Sequence, residues 1–344
     1  MIKRLTYTIA LLLLCFGTKN ALSQSIHFSQ YYNAPMLLNP ANTALMPDYD
    51  YRGGANFRNQ WATIPVPYTT VSAFADFKVA GNNFSRENNN WIGLGLAFFN
   101  DKAGDGNLSL TQFQGNVAYH LHLSKHSMLS AGFSAAHVQR SVNYDNLTFD
   151  AQWDGFVFNT NLPNNEKNGI IKTSYNTLGA GLNYAYFPND NVYMKLGVAA
   201  ANINQPVESF YGGNNQIGIR PTANLDMLFR TGPVLILNPS FYYTTQKGAY
   251  EFVYGTLFRI FVGGHGQENT QLILGIYNRM DDALVAAAGF QWGGVQFMAS
   301  YDATISSLSP YDLGYGAIEF SIIYQGLYSG FERPKRTYNC PRFF

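Results

Sequence analysis

The chain has 344 residues and a formal net charge of +1 at pH 7, and 12% of its residues are charged while 16% are aromatic. A soluble domain usually has about twice this charged fraction. The near-neutral balance excludes the strongly basic surfaces of nucleic-acid-binding proteins, so we expect no nucleic-acid partner.

Residues 1–23 have the three regions of a secretory signal peptide. Two basic residues precede an apolar run over residues 9–16, and small residues end the segment near Ser23. We predict cleavage near Ser23 and an exported protein. Three of the 22 basic residues belong to this signal, so 19 remain beside 21 acidic residues. The one remaining cysteine, Cys340, excludes an intramolecular disulfide framework and a cysteine-rich zinc site.

The next segment, residues 24–48, contains the stretch HFSQYYNAPMLLNPANTAL from His27 to Leu45. Its two prolines disfavour a regular strand or a long helix. We predict a short non-strand periplasmic lead-in, in which Asn39 caps a helical turn and Pro40 takes the first helical position. Its apolar and aromatic residues would otherwise form an exposed apolar patch. We therefore expect them to pack into the periplasmic mouth of a barrel or against a partner.

Residues 49–326 alternate apolar residues with small or polar ones, as membrane-spanning β-strands do. In the segment after Leu110, for example, Phe113, Val117 and Tyr119 share one face, and glutamines, asparagine and histidines share the other. No apolar run after the signal approaches the roughly 20 residues that a spanning helix needs. The pattern predicts an all-β fold, a transmembrane outer-membrane β-barrel of about 14 antiparallel strands. A soluble β-sandwich also alternates but seldom needs so many strands.

The predicted strands begin near Tyr51, Tyr68, Trp91, Leu108, Ser127, Ser174, Val192, Gln216, Val234, Ala249, Thr270, Ala283, Val295 and Leu313. In the strand after Tyr68, Phe74 does not fit the pattern, because it lies among the polar residues. Tight turns at 124–125, 188–191, 231–233 and 293–294 would face the periplasm. The long connections 141–173, 203–215 and 303–312 would face outside. The basic tail, residues 327–344, would stay periplasmic.

Three residue groups could carry chemistry. His120 and His122 share one strand face with His126 nearby, but no cysteine or carboxylate lies beside them in sequence, so we predict no metal site. Glycine pairs such as Gly93 and Gly95 lie inside strand patterns without a following helix, which excludes a phosphate loop. Acidic residues in an outer turn have no histidine partner by spacing. We therefore expect no catalytic residues, no cofactor and no enzymatic activity.

The longest outer connection, residues 144–169, carries four aromatic rings among acids and asparagines: Phe149, Trp153, Phe156 and Phe158. Rings with polar rims suit a protein partner whose pockets they fill. In the alternative interpretation, the same rings fold inward and fill the barrel mouth. The sequence does not favour either.

The lead-in also carries two short motifs that are typical of one protein family. They are Phe28-Ser29-Gln30-Tyr31 and Asn39-Pro40-Ala41. In their order and spacing they resemble the start of mature PorP/SprF proteins, which serve type IX secretion and gliding motility in Bacteroidota. Similar elements follow at residues 52–61, 202–212 and 340–344, so the resemblance covers nearly the whole chain after the signal.

The resemblance implies a non-enzymatic protein of the cell outer membrane, surrounded by outer-membrane lipid. Its partners would be other type IX secretion components and a secreted surface protein, such as an adhesin, which it receives or anchors. The alternative, from the strand number alone, is a porin-like transport barrel for small molecules. A barrel of this size is wide enough for a solute path unless other parts of the chain fill it.

Overall fold

A computed structural model describes residues 28–46, 49–62, 67–79, 90–159, 161–165, 169–262, 270–307, 309–312 and 314–328. The predicted signal peptide, residues 24–27 and the tail beyond residue 328 lie outside this range, as do residues 80–89 and 263–269, which connect predicted strands. No helix in the described ranges is long and apolar enough to cross a membrane.

The described chain forms fourteen strands, which close into a single antiparallel barrel. Each strand pairs with its neighbour in sequence, and the first strand closes the barrel by pairing with the last. The predicted fold class is therefore confirmed. The strands are β1 Tyr51–Gln60, β2 Tyr68–Lys78, β3 Trp91–Ala103, β4 Leu108–Ser124, β5 Ser127–Asn143, β6 Ile170–Asn189, β7 Val192–Ala201, β8 Arg220–Arg230, β9 Leu235–Gln246, β10 Ala249–Phe261, β11 Thr270–Arg279, β12 Ala283–Trp292, β13 Val295–Thr304 and β14 Tyr315–Gly326.

Two strand starts differ from the prediction by four residues. β6 begins at Ile170, earlier than the predicted Ser174, because the β5–β6 ladder continues to Asn143. β8 begins at Arg220 and not near Gln216. Gln216 forms an isolated bridge with Val207 inside the preceding connection, so residues 216–219 do not join the barrel.

Side chains alternate between the outer surface and the lumen as the pattern predicts. In β2, Val71 and Phe77 are exposed on the outside, whereas Ser72 and Asp76 are buried in the lumen. Phe74, which did not fit the pattern, also faces the lumen and is only 8% exposed. It packs there against Met36, so its apolar character follows from the segment that fills the barrel.

The two rims of the barrel differ. The short-turn rim carries the turns at residues 125–126, 190–191, 231–234 and 293–294. The long-loop rim carries the connections 144–169, 202–219 and 305–314. β4, β5 and β6 have 17, 17 and 20 residues and rise beyond the shorter strands at the long-loop rim.

Candidate functional site

Residues 28–46, here called the plug segment, lie inside the barrel. Every residue from 28 to 46 is buried or half-buried, although the segment has only short helical turns at Tyr31–Asn33, Pro35–Leu38 and Pro40–Asn42. The segment lies deeper than we predicted. It does not stop at the periplasmic mouth but extends through the lumen, because the lumen wall offers hydrogen-bond partners along its whole length.

The first residues of the plug segment are held by a cluster of buried charges near the long-loop rim. The hydroxyl of Ser29 donates to Asp302 Oδ2 at 2.6 Å. It accepts from Arg279 Nη1 at 2.7 Å and from Arg58 Nη1 at 2.9 Å. The backbone N–H groups of Ser29 and Gln30 donate to the carboxylate of Glu319 at 2.6 and 2.9 Å. The Ser29 hydroxyl therefore uses its one donor and both of its acceptor sites.

The charges of this cluster also pair with one another. Arg58 forms salt bridges with Glu319 and, at 2.9 Å, with Asp302. Arg279 pairs with Asp302 at 3.0 Å. All four side chains are at most 3% exposed. Removing one partner of such a buried ion pair strongly destabilises the folded protein, because the other charge stays buried without compensation.

Tyr31, also near the start of the plug segment, packs among aromatic rings of the wall. Its ring stacks on Tyr242 with 5.2 Å between ring centroids and meets the edge of Tyr277 at 6.1 Å. Its hydroxyl donates to Ser240 Oγ at 2.7 Å. Aromatic pairs at such distances contribute beyond the area that they bury. The side chain is thus fixed by both packing and a hydrogen bond.

Asn39 caps the third helical turn, as predicted. Its Oδ1 accepts from the N–H of Ala41 at 2.8 Å, and Pro40 takes the first position of the turn. Its Nδ2 donates to Asn183 Oδ1 at 3.0 Å, which ties the turn to β6. A Cβ atom on Gly181 would overlap the Asn39 amide, and one on Gly132 would overlap the Pro40 backbone. Glycines in the wall therefore make room for the plug segment.

The last part of the plug segment lies at the short-turn rim. The N–H of Ala44 donates to Asp76 Oδ2 at 2.7 Å, and the same carboxylate pairs with Arg52 at 2.6 Å. The indole of Trp91 donates to the Ala44 carbonyl at 2.9 Å. The segment is therefore bonded to the wall at both ends and in its middle.

His120, which the alternation pattern places on the polar face of its strand, is 0% exposed. Its Nε2 donates to the Thr43 carbonyl at 2.8 Å, and its Nδ1 accepts from Ser130 at 2.7 Å. Both ring nitrogens therefore hold the plug segment and the wall in place. Among the residues described, no group of three or more His, Cys, Asp or Glu side chains is placed to bind a metal ion.

The family relationship follows from a comparison of sequences. The model of the family described as type IX secretion system membrane protein PorP/SprF matches residues 20–324. The chain belongs to the PorP/SprF family. No curated protein sequence matches the chain. The two motifs of this PorP/SprF protein, residues 28–31 and 39–41, both lie in the plug segment at its contacts with the wall.

Solved structures similar to this PorP/SprF protein include two hydrocarbon transporters. The toluene transporter TodX of Pseudomonas putida superimposes with a TM-score of 0.54 at 9% identity, covering 86% of this chain and 94% of that one. The toluene transporter TbuX of Ralstonia pickettii gives 0.52 at 11% identity, with the same coverage. At such low identity the likeness shows the fold alone. The chain is thus an outer-membrane β-barrel component of type IX secretion.

A cavity of about 100 Å³, open towards solvent, lies between the plug segment and the walls of β3–β9 towards the long-loop rim. Its floor is apolar and includes Phe28, Leu37 and Leu38 of the plug segment. Its walls combine small residues with the polar side chains of Gln112 and Thr222. A concave, mostly apolar site with a few polar groups is typical of ligand sites.

The connection 144–169 does not fill the barrel mouth with all of its rings. Phe149 is half-buried and stacks on Tyr144 at 5.9 Å. Trp153 and Phe158 pair side by side at the base of a turn, with 5.0 Å between their rings, and both are exposed. Phe156, at the tip, is 89% exposed. Three of the four predicted rings therefore face outward.

This turn is held by Asp154. Its Oδ1 accepts from the N–H groups of Val157 and Phe156, both at 2.9 Å. These two hydrogen bonds, that from Val157 first, lower the pKa of the Asp154 carboxyl below its usual value. The aromatic tip is therefore a defined turn and not a loose loop.

Sequence reasoning identified the plug motifs but missed their partners in the wall, which are Arg58, Arg279, Asp302 and Glu319. Asp302 and Glu319 lie at polar positions of the alternation pattern in β13 and β14, so the sequence contained a signal for buried charge. It gave no means of pairing these charges with Ser29, because their positions are more than 200 residues away.

Proposed function

We propose that this PorP/SprF barrel receives or anchors a secreted surface protein at the outside of the outer membrane, and that its lumen stays closed by the plug segment while it does so. The partners would be the secreted protein and other components of the type IX machine. The observation that carries this proposal is the plug segment, which is bonded to the wall from Ser29 to Ala44. A filled lumen suits a scaffold better than a solute channel.

The outer connections supply a surface for such a partner. Trp153, Phe156 and Phe158 form an aromatic turn beyond the long strands β5 and β6. Tyr144 of this connection shares a 2.6 Å hydrogen bond with Tyr211 of the next one. Arg140 at the end of β5 pairs with Glu208 at 2.6 Å. Fixed aromatic side chains on a braced surface are typical of binding hot spots.

In this proposal the long-loop rim is extracellular and the short-turn rim is periplasmic. Residues 1–23 are the cleaved export signal, and residues 327–344 form a periplasmic tail. The start of the tail supports this arrangement. The hydroxyl of Tyr328 donates to the Lys78 carbonyl at 2.9 Å, and its N–H donates to Asp50 at 3.0 Å, both at the short-turn rim.

Affinity purification tests the proposal. The tagged protein is isolated from its native outer membrane in mild detergent, and co-purified proteins are identified by mass spectrometry. We expect a large secreted surface protein with the wild type and at least about tenfold less of it with the Trp153→Ala/Phe156→Ala variant. Tyr311→Ala is the control, because Tyr311 is also an exposed aromatic residue, at 77%, in another outer connection. A barrel recovered alone in every case would contradict the proposal.

The cavity above the plug segment favours a second candidate function, the transport of small apolar molecules. The similar structures TodX and TbuX are toluene transporters. Purified protein in planar bilayers and in solute-uptake assays separates the two functions. Solute-dependent conductance or uptake by the wild type favours transport, and silence favours the closed scaffold.

A further inference from the structure

The outward face of β3–β6 continues past the apolar band that faces lipid. The band ends near Phe98 on β3 and Leu178 on β6. Beyond it, the strand register aligns two rows of outward-facing residues across the four strands. The rows are Asn100, Thr111, Gln139 and Ser174, then Lys102, Ser109, Ser141 and Lys172.

Hydrogen bonds within the rows confirm that neighbouring side chains lie on one face. Asn100 Nδ2 donates to Thr111 Oγ1 at 2.8 Å. The hydroxyls of Ser109 and Ser141 are also 2.8 Å apart. Lys102 and Lys172, at the two ends of the second row, are exposed. The rows therefore form a continuous polar face with a lysine at each edge.

The height of this face matches lipid headgroups and the sugars attached to them. Strands rise about 3.3 Å per residue, and barrel strands tilt by about 40°. Lys102, four residues beyond Phe98, therefore lies about 10 Å above the apolar band, and Lys172, six residues beyond Leu178, about 15 Å above it. Three strand spacings separate the lysines by about 14 Å.

The chemistry of the face is that of a sugar and phosphate site. Its outward positions carry hydroxyls, amides and two ammonium groups, and His137 lies just below them beside Asn176. No acidic residue occupies these positions; Asp105 lies beyond them in the β3–β4 turn. Hydroxyl and amide groups bond to sugar hydroxyls, and lysine binds phosphate. The basic edges would attract an anionic lipid near the membrane surface.

We propose that this polar face of β3–β6 binds the phosphorylated sugar headgroup of a glycolipid in the outer leaflet. The proposal rests on the orientation given under the proposed function, in which the long-loop rim is extracellular. The apolar band continues directly below the face, so one lipid can place its acyl chains on the band and its headgroup on the two rows.

Native mass spectrometry of protein purified from its own outer membrane tests this assignment. We expect a phosphate-bearing glycolipid adduct on the wild type and about thirty-fold weaker retention on Lys102→Gln/Lys172→Gln, the effect of losing two lysine contacts at a membrane surface. The control is Lys125→Gln/Lys247→Gln, which removes the same charge from turns outside the face. The control should retain the adduct as the wild type does.

Three results would overturn the assignment. The wild type could carry no glycolipid, both double variants could retain the glycolipid equally, or Lys102→Gln/Lys172→Gln could lose bound phospholipid while it keeps the glycolipid. The secreted partner recovered from the same cells reports on the proposed function separately. If Lys102→Gln/Lys172→Gln loses the glycolipid but recovers the partner normally, the lipid site alone is supported. If the same variant loses the partner but keeps the glycolipid, the result counts against the lipid site.

Discussion

Replacing Glu319 by glutamine removes its charge, keeps its shape, and tests how firmly the start of the plug segment is held. The wild-type carboxylate accepts two backbone N–H groups, from Ser29 and Gln30, and pairs with Arg58. Breaking a buried pair costs about 3–5 kcal/mol. Because Arg58 keeps Asp302 as a second partner, we expect the lower limit, about 3 kcal/mol. This corresponds to an opening equilibrium about 150-fold more favourable.

Hydrogen exchange measured by mass spectrometry on the reconstituted barrel detects this opening. The amides of residues 28–33 should exchange about 150-fold faster in Glu319→Gln than in the wild type. Those of residues 39–44 should change little, because Asn39 and Ala44 have their own partners. Asp190→Asn, in an exposed turn, is the control and should match the wild type. Unchanged exchange at residues 28–33, or an equal rise across all strands, would refute the reasoning.

Three further predictions follow from other contacts. Gly181→Val should displace the Asn39 turn and speed hydrogen exchange of its amides, whereas Gly115→Val, where a Cβ atom meets nothing within 4 Å, should not. Equal hydrogen exchange in both variants would contradict the close contact between Gly181 and Asn39. Met36→Ala should lower stability by about 2–5 kcal/mol in denaturant unfolding, because it leaves a cavity beside the wall; an unchanged midpoint would contradict that packing. The lowered pKa of Asp154 means that its stabilisation of the aromatic turn is present above the ordinary carboxyl pKa and is lost as the pH falls through the lowered value. The chemical shifts of the two bonded amides should follow this loss in the wild type and be pH-independent in Asp154→Asn.

The barrel itself could be predicted from the sequence because its signal is local. Alternation with a period of two places each side chain on one of two faces, and turn residues separate the strands. Twelve of the fourteen strand starts therefore fall within two residues of the prediction. The predicted start of β8 was wrong because Gln216 pairs with Val207 in the same connection. The alternation pattern does not indicate which residue a strand position pairs with.

The depth of the plug segment could not be predicted in this way. Gln30 accepts a hydrogen bond from Ser321, 291 residues later in the chain, and no local pattern pairs such positions. Phe74 carried a hint, since an apolar side chain on a lumen face needs an apolar partner inside the barrel. The four rings of the outer connection were ambiguous for the same reason. Only the fold decides that Phe149 stacks on Tyr144 while Phe156 is exposed.

A disulfide between the plug segment and the wall tests most directly whether the closed barrel holds a secreted protein. A Cβ atom on Gly181 would lie 2.9 Å from Asn39 Cγ, so cysteines at these two positions are close enough to bond, and the single variants Asn39→Cys and Gly181→Cys are the controls that cannot form this cross-link. Tagged Asn39→Cys/Gly181→Cys is purified from its native membrane after oxidation. We predict that the disulfide forms, that the secreted partner co-purifies as with the wild type, and that bilayers stay silent. Loss of the partner on oxidation, or a barrel recovered alone that conducts solutes once the disulfide is reduced, would contradict the account.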